Sequence, residues 1–265
     1  MSMTIFKDTF KRNWKLLLIF LFVLCFYQSI IISLIDPDDM DKVKELFGTM
    51  ESFMGAFSIS IASMTSPLNY TASTFFSVLV MGFTMVFYVI QANSLVAKPV
   101  DDTSISCILS APVKRSTFII TRGIYLIFAM AVLFLGILGS GALMLSMFGE
   151  YDFNAYLNLV GITFFLCTAV AMLSYFLSSA FCGTKMGTGL TVGVPIALLF
   201  ISIIGGAGGE KTEWLKKITP FGWIDSVKVV TGEVETLWMY FALGGAILVL
   251  FAGAVIIFNK KRLPI

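Results

Sequence analysis

The sequence predicts an all-α, polytopic membrane protein with six transmembrane helices, on three observations. The chain of 265 residues is 58% hydrophobic and only 13% charged, with a mean hydropathy of +0.93. A soluble domain of this length needs a larger polar fraction to cover its surface. Six apolar runs approach or exceed the ~20 residues needed to cross a hydrocarbon core of about 30 Å. The charged residues are also segregated by sign between alternate loops.

The expected spans are about 16–35, 68–93, 123–148, 157–180, 188–206 and 237–258, in a single transmembrane domain covering 1–265. Few or no charges fall inside them, as expected when a mid-membrane Lys, Arg or Asp costs ~2.5–3.5 kcal/mol on the insertion scale. Before the first span, "MSMTIFKDTFKRNWK" places Met3, Phe6, Phe10 and Trp14 at spacings of three and four, with Lys7, Lys11, Arg12 and Lys15 on the other face. This pattern reads as an N-terminal interfacial helix built on Phe6, Phe10 and Trp14. The alternative is a basic, snorkelling start to the span itself. No small-residue cleavage pattern follows, so no cleavable signal peptide is expected.

Between spans one and two, "DPDDMDKVKELFGTMES" forms an acidic loop with room for a short helix. Between spans two and three, "DDTSISCILSAPVKRSTF" reads as another short helix. Asp102 or Thr103 would cap it, Ile105, Ile108 and Leu109 would form its apolar face, and Pro112 would end it. Lys114 and Arg115 follow at the membrane margin. Such a helix suits docking into a groove on a partner; an ordinary loop helix would show the same spacing. Span five carries Gly189-x-x-x-Gly193 and Pro195, read as internal helix packing with a proline kink. The segment "GAGGEKTEWLKKITPFGWIDSVKVVTGEVET", with Trp214, Pro220, Phe221 and Trp223, mixes aromatic and charged residues as a re-entrant or amphipathic segment would. The end, "NKKRLPI", is a short basic anchor.

Orientation follows from the positive-inside rule. With both termini inside, the cytoplasmic segments hold 12 basic and three acidic residues, and the outer ones six basic and 13 acidic. The balances of +9 and −7 together make the net +2 of the chain. The even number of spans agrees, giving a multi-pass cell-membrane protein with cytoplasmic termini.

Enzyme constellations are missing. There is no His, which removes the commonest general base and a common metal ligand. The four cysteines, Cys25, Cys107, Cys167 and Cys182, are scattered without a CxxC and read as packing residues. Neither "IIGGAGGEKTEW" nor "CGTKMGTG" has the GxxxxGK[ST] spacing of a phosphate loop. No catalytic or metal site and no cofactor are expected in this chain, and ATP is not bound by it in the usual way. Polar uncharged residues inside the spans are Gln28, Ser29 and Ser33 in the first and Tyr88 and Gln91 near the end of the second. They either hydrogen-bond between helices or line a path. An ion-coupled carrier would usually show intramembrane charge.

The segment between spans two and three resembles the first cytoplasmic loop of ABC type 2 permeases, where an acidic stretch leads to L-L-S-x-P-V-x-R. The matching residues are Asp101 and Asp102, then Ile108, Leu109, Ser110, Pro112, Val113 and Arg115; Thr103–Ser104–Ile105 stands where the pattern has Gly–Thr–Leu. The likeness extends over essentially the whole chain, including "TPFGWIDS…TGE" before the last span. It implies a permease without ATPase activity, two copies of which (or this chain and a similar one) pair with two soluble ATPase subunits that bind Mg-ATP. It implies that Asp101, Asp102, Thr103, Ile105, Ile108, Leu109, Pro112 and Arg115 form the coupling helix seated on the ATPase. It further implies that Trp214, Pro220, Phe221 and Trp223 belong to an outer gate, and that transport runs outward. The aromatic-rich spans, with 26 Phe in the chain, favour an amphipathic cargo. A cytolytic or antimicrobial peptide is the first expectation, with a drug, lipid or sodium behind it. Membrane lipids are the remaining partners, and nucleic acid is not one. An ion-coupled carrier and a non-transporting anchor for a sensor or enzyme are the readings from other classes.

Overall fold

The computed structural model describes residues 2–33, 66–101, 115–147, 151–184, 186–207 and 212–261. Among them there is no strand, and six helices are long and apolar enough to cross a membrane. These are α1 (Met3–Ser33), α2 (Pro67–Val100), α3 (Arg115–Met147), α4 (Phe153–Phe181), α5 (Gly187–Ala207) and α8 (Leu237–Lys260). Two short helices, α6 (Glu213–Ile218) and α7 (Ser226–Thr231), lie between α5 and α8.

Several helices outrun the apolar stretches that predict them. α1 is a single helix of 31 residues, so the amphipathic start around Phe6, Phe10 and Trp14 is not a separate interfacial helix. Nothing in Met3–Ser33 breaks it, because the segment has neither Gly nor Pro. At 1.5 Å per residue it is roughly 45 Å long, well beyond a hydrocarbon core of about 30 Å. Phe10 and Trp14 are each 40% exposed, whereas Phe6 packs edge-on against Tyr125 and Phe128 of α3. α3 likewise begins at Arg115 rather than at 123, since "RSTFIIT" contains no breaker.

α4 is the central helix. Of its most apolar window, 72% is buried, against 17% for α5 and for α8. It packs against α2, α3, α5, α7 and α8, and its ends are well terminated. Asp152 accepts hydrogen bonds from the backbone N–H groups of Asn154 (2.9 Å) and Ala155 (3.3 Å). At the other end Lys261 Nζ donates to the carbonyls of Ala180 (2.7 Å) and Cys182 (2.6 Å). An acid at the helix start and a cation at its end both suit the macrodipole.

α2 starts on a Ser66 cap with Pro67 in its first turn. It contains two π-helical stretches, Ala72–Val80 and Asn93–Ala97. Near the second, side chains from other helices take α2 carbonyls: Ser178 Oγ donates to Ala92 (3.2 Å), and Arg122 Nη1 to Leu95. Gly189 and Gly193 depart from expectation. Among the described residues a Cβ at either would meet nothing within 4 Å, so this pair does not pack against the described helices.

The 206–236 segment resolves, where described, as an amphipathic cap. α6 folds back on the end of α5, and α7 packs on α4 and the start of α2. Phe221, Ile224, Val227 and Val229 are buried, while Trp214 and Trp223 are 59% and 43% exposed. Gly222 is required at its position, because a Cβ would lie 2.2 Å from the Lys216 carbonyl oxygen. Asp225 caps α7, and Gly232, in the left-handed region at φ 75°, ends it.

Candidate functional site

Three polar features lie along the bundle, and they divide the residues predicted to line a path. The first is a latch at the end where α3 leads to α4. Gln28 Nε2 donates to the Tyr156 hydroxyl (2.9 Å), which donates to the Ile137 carbonyl (2.8 Å); Ser140 Oγ donates to Gln28 Oε1 (2.8 Å). Gln28 and Tyr156 are fully buried. Gln28 therefore fastens α1 to α3 and α4. Ser29 and Ser33 join neither the latch nor each other, since their hydroxyls bond to the Cys25 and Ile30 carbonyls of their own helix.

The second feature is a seam along α2. Thr84, Tyr88, Gln91 and Leu95 follow one another at spacings of three and four, placing them on one face. Thr84 Oγ1 lies 3.4 Å from Cys167 Sγ of α4, and Gln91 stands beside Tyr125 of α3. The hydroxyls of Tyr88 and Thr168 are buried without a hydrogen bond, whereas the Tyr125 hydroxyl and the Gln91 amide face each other as hydrogen-bond partners at loose geometry. Each such group costs about 1–3 kcal/mol if it stays unpaired. Tyr88 and Gln91 are the two predicted path residues that belong to this seam.

The third feature centres on Arg122, which the expected span of 123–148 leaves in the preceding loop. It sits two turns inside α3, 4% exposed, with its guanidinium 4.1 Å from the centroid of the Phe118 ring and Nη1 bonded to the Leu95 carbonyl. The usable signal was the unbroken run from Arg115 to Arg122, which extends the helix upstream of the apolar stretch. Tyr125, Ser140, Tyr156 and Thr168 were also missed, and their type and spacing give no signal of a site.

The first and last described residues, Ser2 and Lys261, both contact the first two turns of α3. The Ser2 backbone N–H donates to Thr121 Oγ1 (3.1 Å), Ser116 Oγ to Asn259 Oδ1 (3.1 Å), and Arg115 Nη1 to the Lys261 carbonyl (3.4 Å). Arg115 thus ties the start of α3 to the end of α8. Asp101 continues the helix one residue past Val100. Asp102, Thr103, Ile105, Ile108, Leu109 and Pro112 lie outside the described residues. Of the expected outer-gate residues, Phe221 is packed into the core, and Pro220 opens the 3-10 turn that carries it. Trp223 Nε1 donates to the Lys217 carbonyl (2.7 Å). All four tryptophans of the chain (Trp14, Trp214, Trp223 and Trp238) are at least 40% exposed. Trp14 lies toward the end that holds Ser2 and Lys261 and the other three toward the opposite end, as in the aromatic belts of membrane proteins.

The fold and these features define an all-helical, multi-pass membrane protein. Compared with known proteins, the chain matches no family model and no curated sequence.

Proposed function

We propose that the chain is the permease subunit of an ATP-driven ABC exporter that moves an amphipathic substrate, with a cytolytic or antimicrobial peptide as first candidate, out across the cell membrane. The observation that carries this reading is the company of the 101–115 segment. Its flanks, the end of α2 and the start of α3, lie at the end of the bundle that holds Ser2 and Lys261 and where Lys98, Arg115, Arg122, Lys260 and Lys261 gather. That end is the cytoplasmic one by the positive-inside rule, the side on which a soluble ATPase can dock. The chain lacks a phosphate-loop motif, so hydrolysis of Mg-ATP belongs to a partner. Two copies of this subunit, or this one and a similar one, would rock against each other as the paired ATPases close. An ion-coupled carrier finds less support, because the charged side chain buried among the described residues is Arg122, near the basic end, with no buried carboxylate beside it.

Tags at either terminus are expected to be inaccessible in intact cells. Asp39→Cys, in a background with the four native cysteines replaced, is expected to react with a membrane-impermeant maleimide. Purification of the tagged chain is expected to bring a phosphate-loop ATPase with it. A terminus accessible from outside, or a chain that purifies active and alone, would contradict the proposal.

A further inference from the structure

At the basic end, a cavity of about 570 Å³ opens between α1, α2 and α3, lined by Thr9, Arg12, Asn13, Ser94, Leu95, Lys98, Pro99 and Arg122. Three of the eight lining residues are cations and none is an acid. Arg12 and Lys98 are exposed, Arg122 is buried at its inner end, and no ion pair engages any of the three among the described residues. The other donors are partly spent inside α1: Thr9 Oγ1 on the Ile5 carbonyl and Asn13 Nδ2 on the Thr9 carbonyl. Arg122 commits Nη1 to Leu95, and its Nε has no partner. The acid whose field reaches Arg122 is Asp8, an exposed residue one helical turn before Arg12.

We propose that this cavity binds a phosphate group, with Arg12, Lys98 and Arg122 as its cationic ligands and Ser94 as a hydroxyl donor. A buried guanidinium that shares its cavity with two exposed cations, one of which (Arg12) opposes its charge directly, is costly unless an anion joins them. Phosphate oxygens accept several charge-assisted hydrogen bonds at once, which a fork of Arg and Lys donors supplies. The volume falls in the ~300–1,000 Å³ range of small-molecule sites and exceeds what a lone phosphate fills. It opens between helices at the basic end of the bundle, beside the residues that precede Trp14 in α1, where an anionic headgroup would meet its cations. A phospholipid headgroup and a free phosphate share the chemistry, and the test separates them. This inference does not depend on the transport reading.

The experiment uses the full chain purified in detergent and follows thermal unfolding at fixed ionic strength. The additives are short-chain phosphatidic acid, inorganic phosphate, and the matching diacylglycerol without phosphate. Phosphatidic acid is expected to raise the midpoint saturably and diacylglycerol to leave it unchanged. A response to phosphatidic acid alone identifies a headgroup site, and an equal response to inorganic phosphate a free-anion site. Arg12→Gln and Lys98→Gln change exposed side chains, so they fold irrespective of the site. Each is expected to raise the half-saturating concentration roughly tenfold, the loss of about one charge-assisted hydrogen bond. Asp8→Asn is expected to lower it by removing the nearby negative charge. No midpoint shift with either phosphate compound, or shifts that both Gln variants leave unchanged, would overturn the proposal.

Discussion

Gly141→Val is expected to be among the most damaging single changes in the bundle. A Cβ at residue 141 would lie 2.1 Å from the Tyr156 hydroxyl oxygen and 2.2 Å from Gln28 Nε2. Both side chains end there, but neither can swing away freely. Tyr156 is fully buried and packs edge-on against Phe76 and Tyr151, and Gln28 is held by Ser140 as well. Overpacking costs about 1–3 kcal/mol, and a Gln28 amide left unpaired costs a further ~1–3 kcal/mol. At 2–4 °C per kcal/mol for a chain of this size class, the purified protein should unfold roughly 10 °C lower. Tyr156→Phe adds no volume but leaves the same buried Gln28 amide without its acceptor, so it should cost only the second of these two contributions, about 1–3 kcal/mol. Wild-type unfolding by Gly141→Val would mean that α1, α3 and α4 do not meet at this latch.

Leu109→Asp is expected to abolish the partnership with an ATPase while leaving the bundle folded. If Ile105, Ile108 and Leu109 fill a groove on that partner, the substitution removes an apolar anchor and places a charge in a desolvated contact. The loss should fall at roughly 2–4 kcal/mol or above, the range of interface hot spots. That is at least a tens-fold loss of affinity, about 1.4 kcal/mol per decade. Lys114→Ala should do much less, because a lysine at the membrane margin reaches lipid phosphates more readily than a protein groove. Pull-down of the ATPase at matched membrane expression reads both variants. Undiminished pull-down and transport by Leu109→Asp would reduce the segment to a connector.

The number and order of the spans were legible because length and hydropathy alone report them. Their ends were not, since hydropathy marks the buried part of a helix and not where its backbone stops. Hence α1 starts at Met3 and α3 at Arg115, turns before the apolar runs begin. The same gap hid Arg122, a base that counts toward a loop in sequence yet lies inside a helix against Phe118 and Leu95. The latch was illegible for a different reason. Gln28 signalled a polar role, but its partners depend on the rotational phase of three helices, which composition does not encode. Gly189 and Gly193 had the spacing of a packing motif without a partner face among the described residues.

The central claim, transport powered by a partner's ATP hydrolysis, is tested most directly in proteoliposomes containing the chain with its co-purified ATPase and a fluorescent amphipathic peptide. Peptide movement should start with Mg-ATP on the cytoplasmic face and continue when ionophores collapse all ion gradients. The chain without the ATPase should move nothing. Movement driven by a proton or sodium gradient in the absence of ATP would contradict the account and identify an ion-coupled carrier instead.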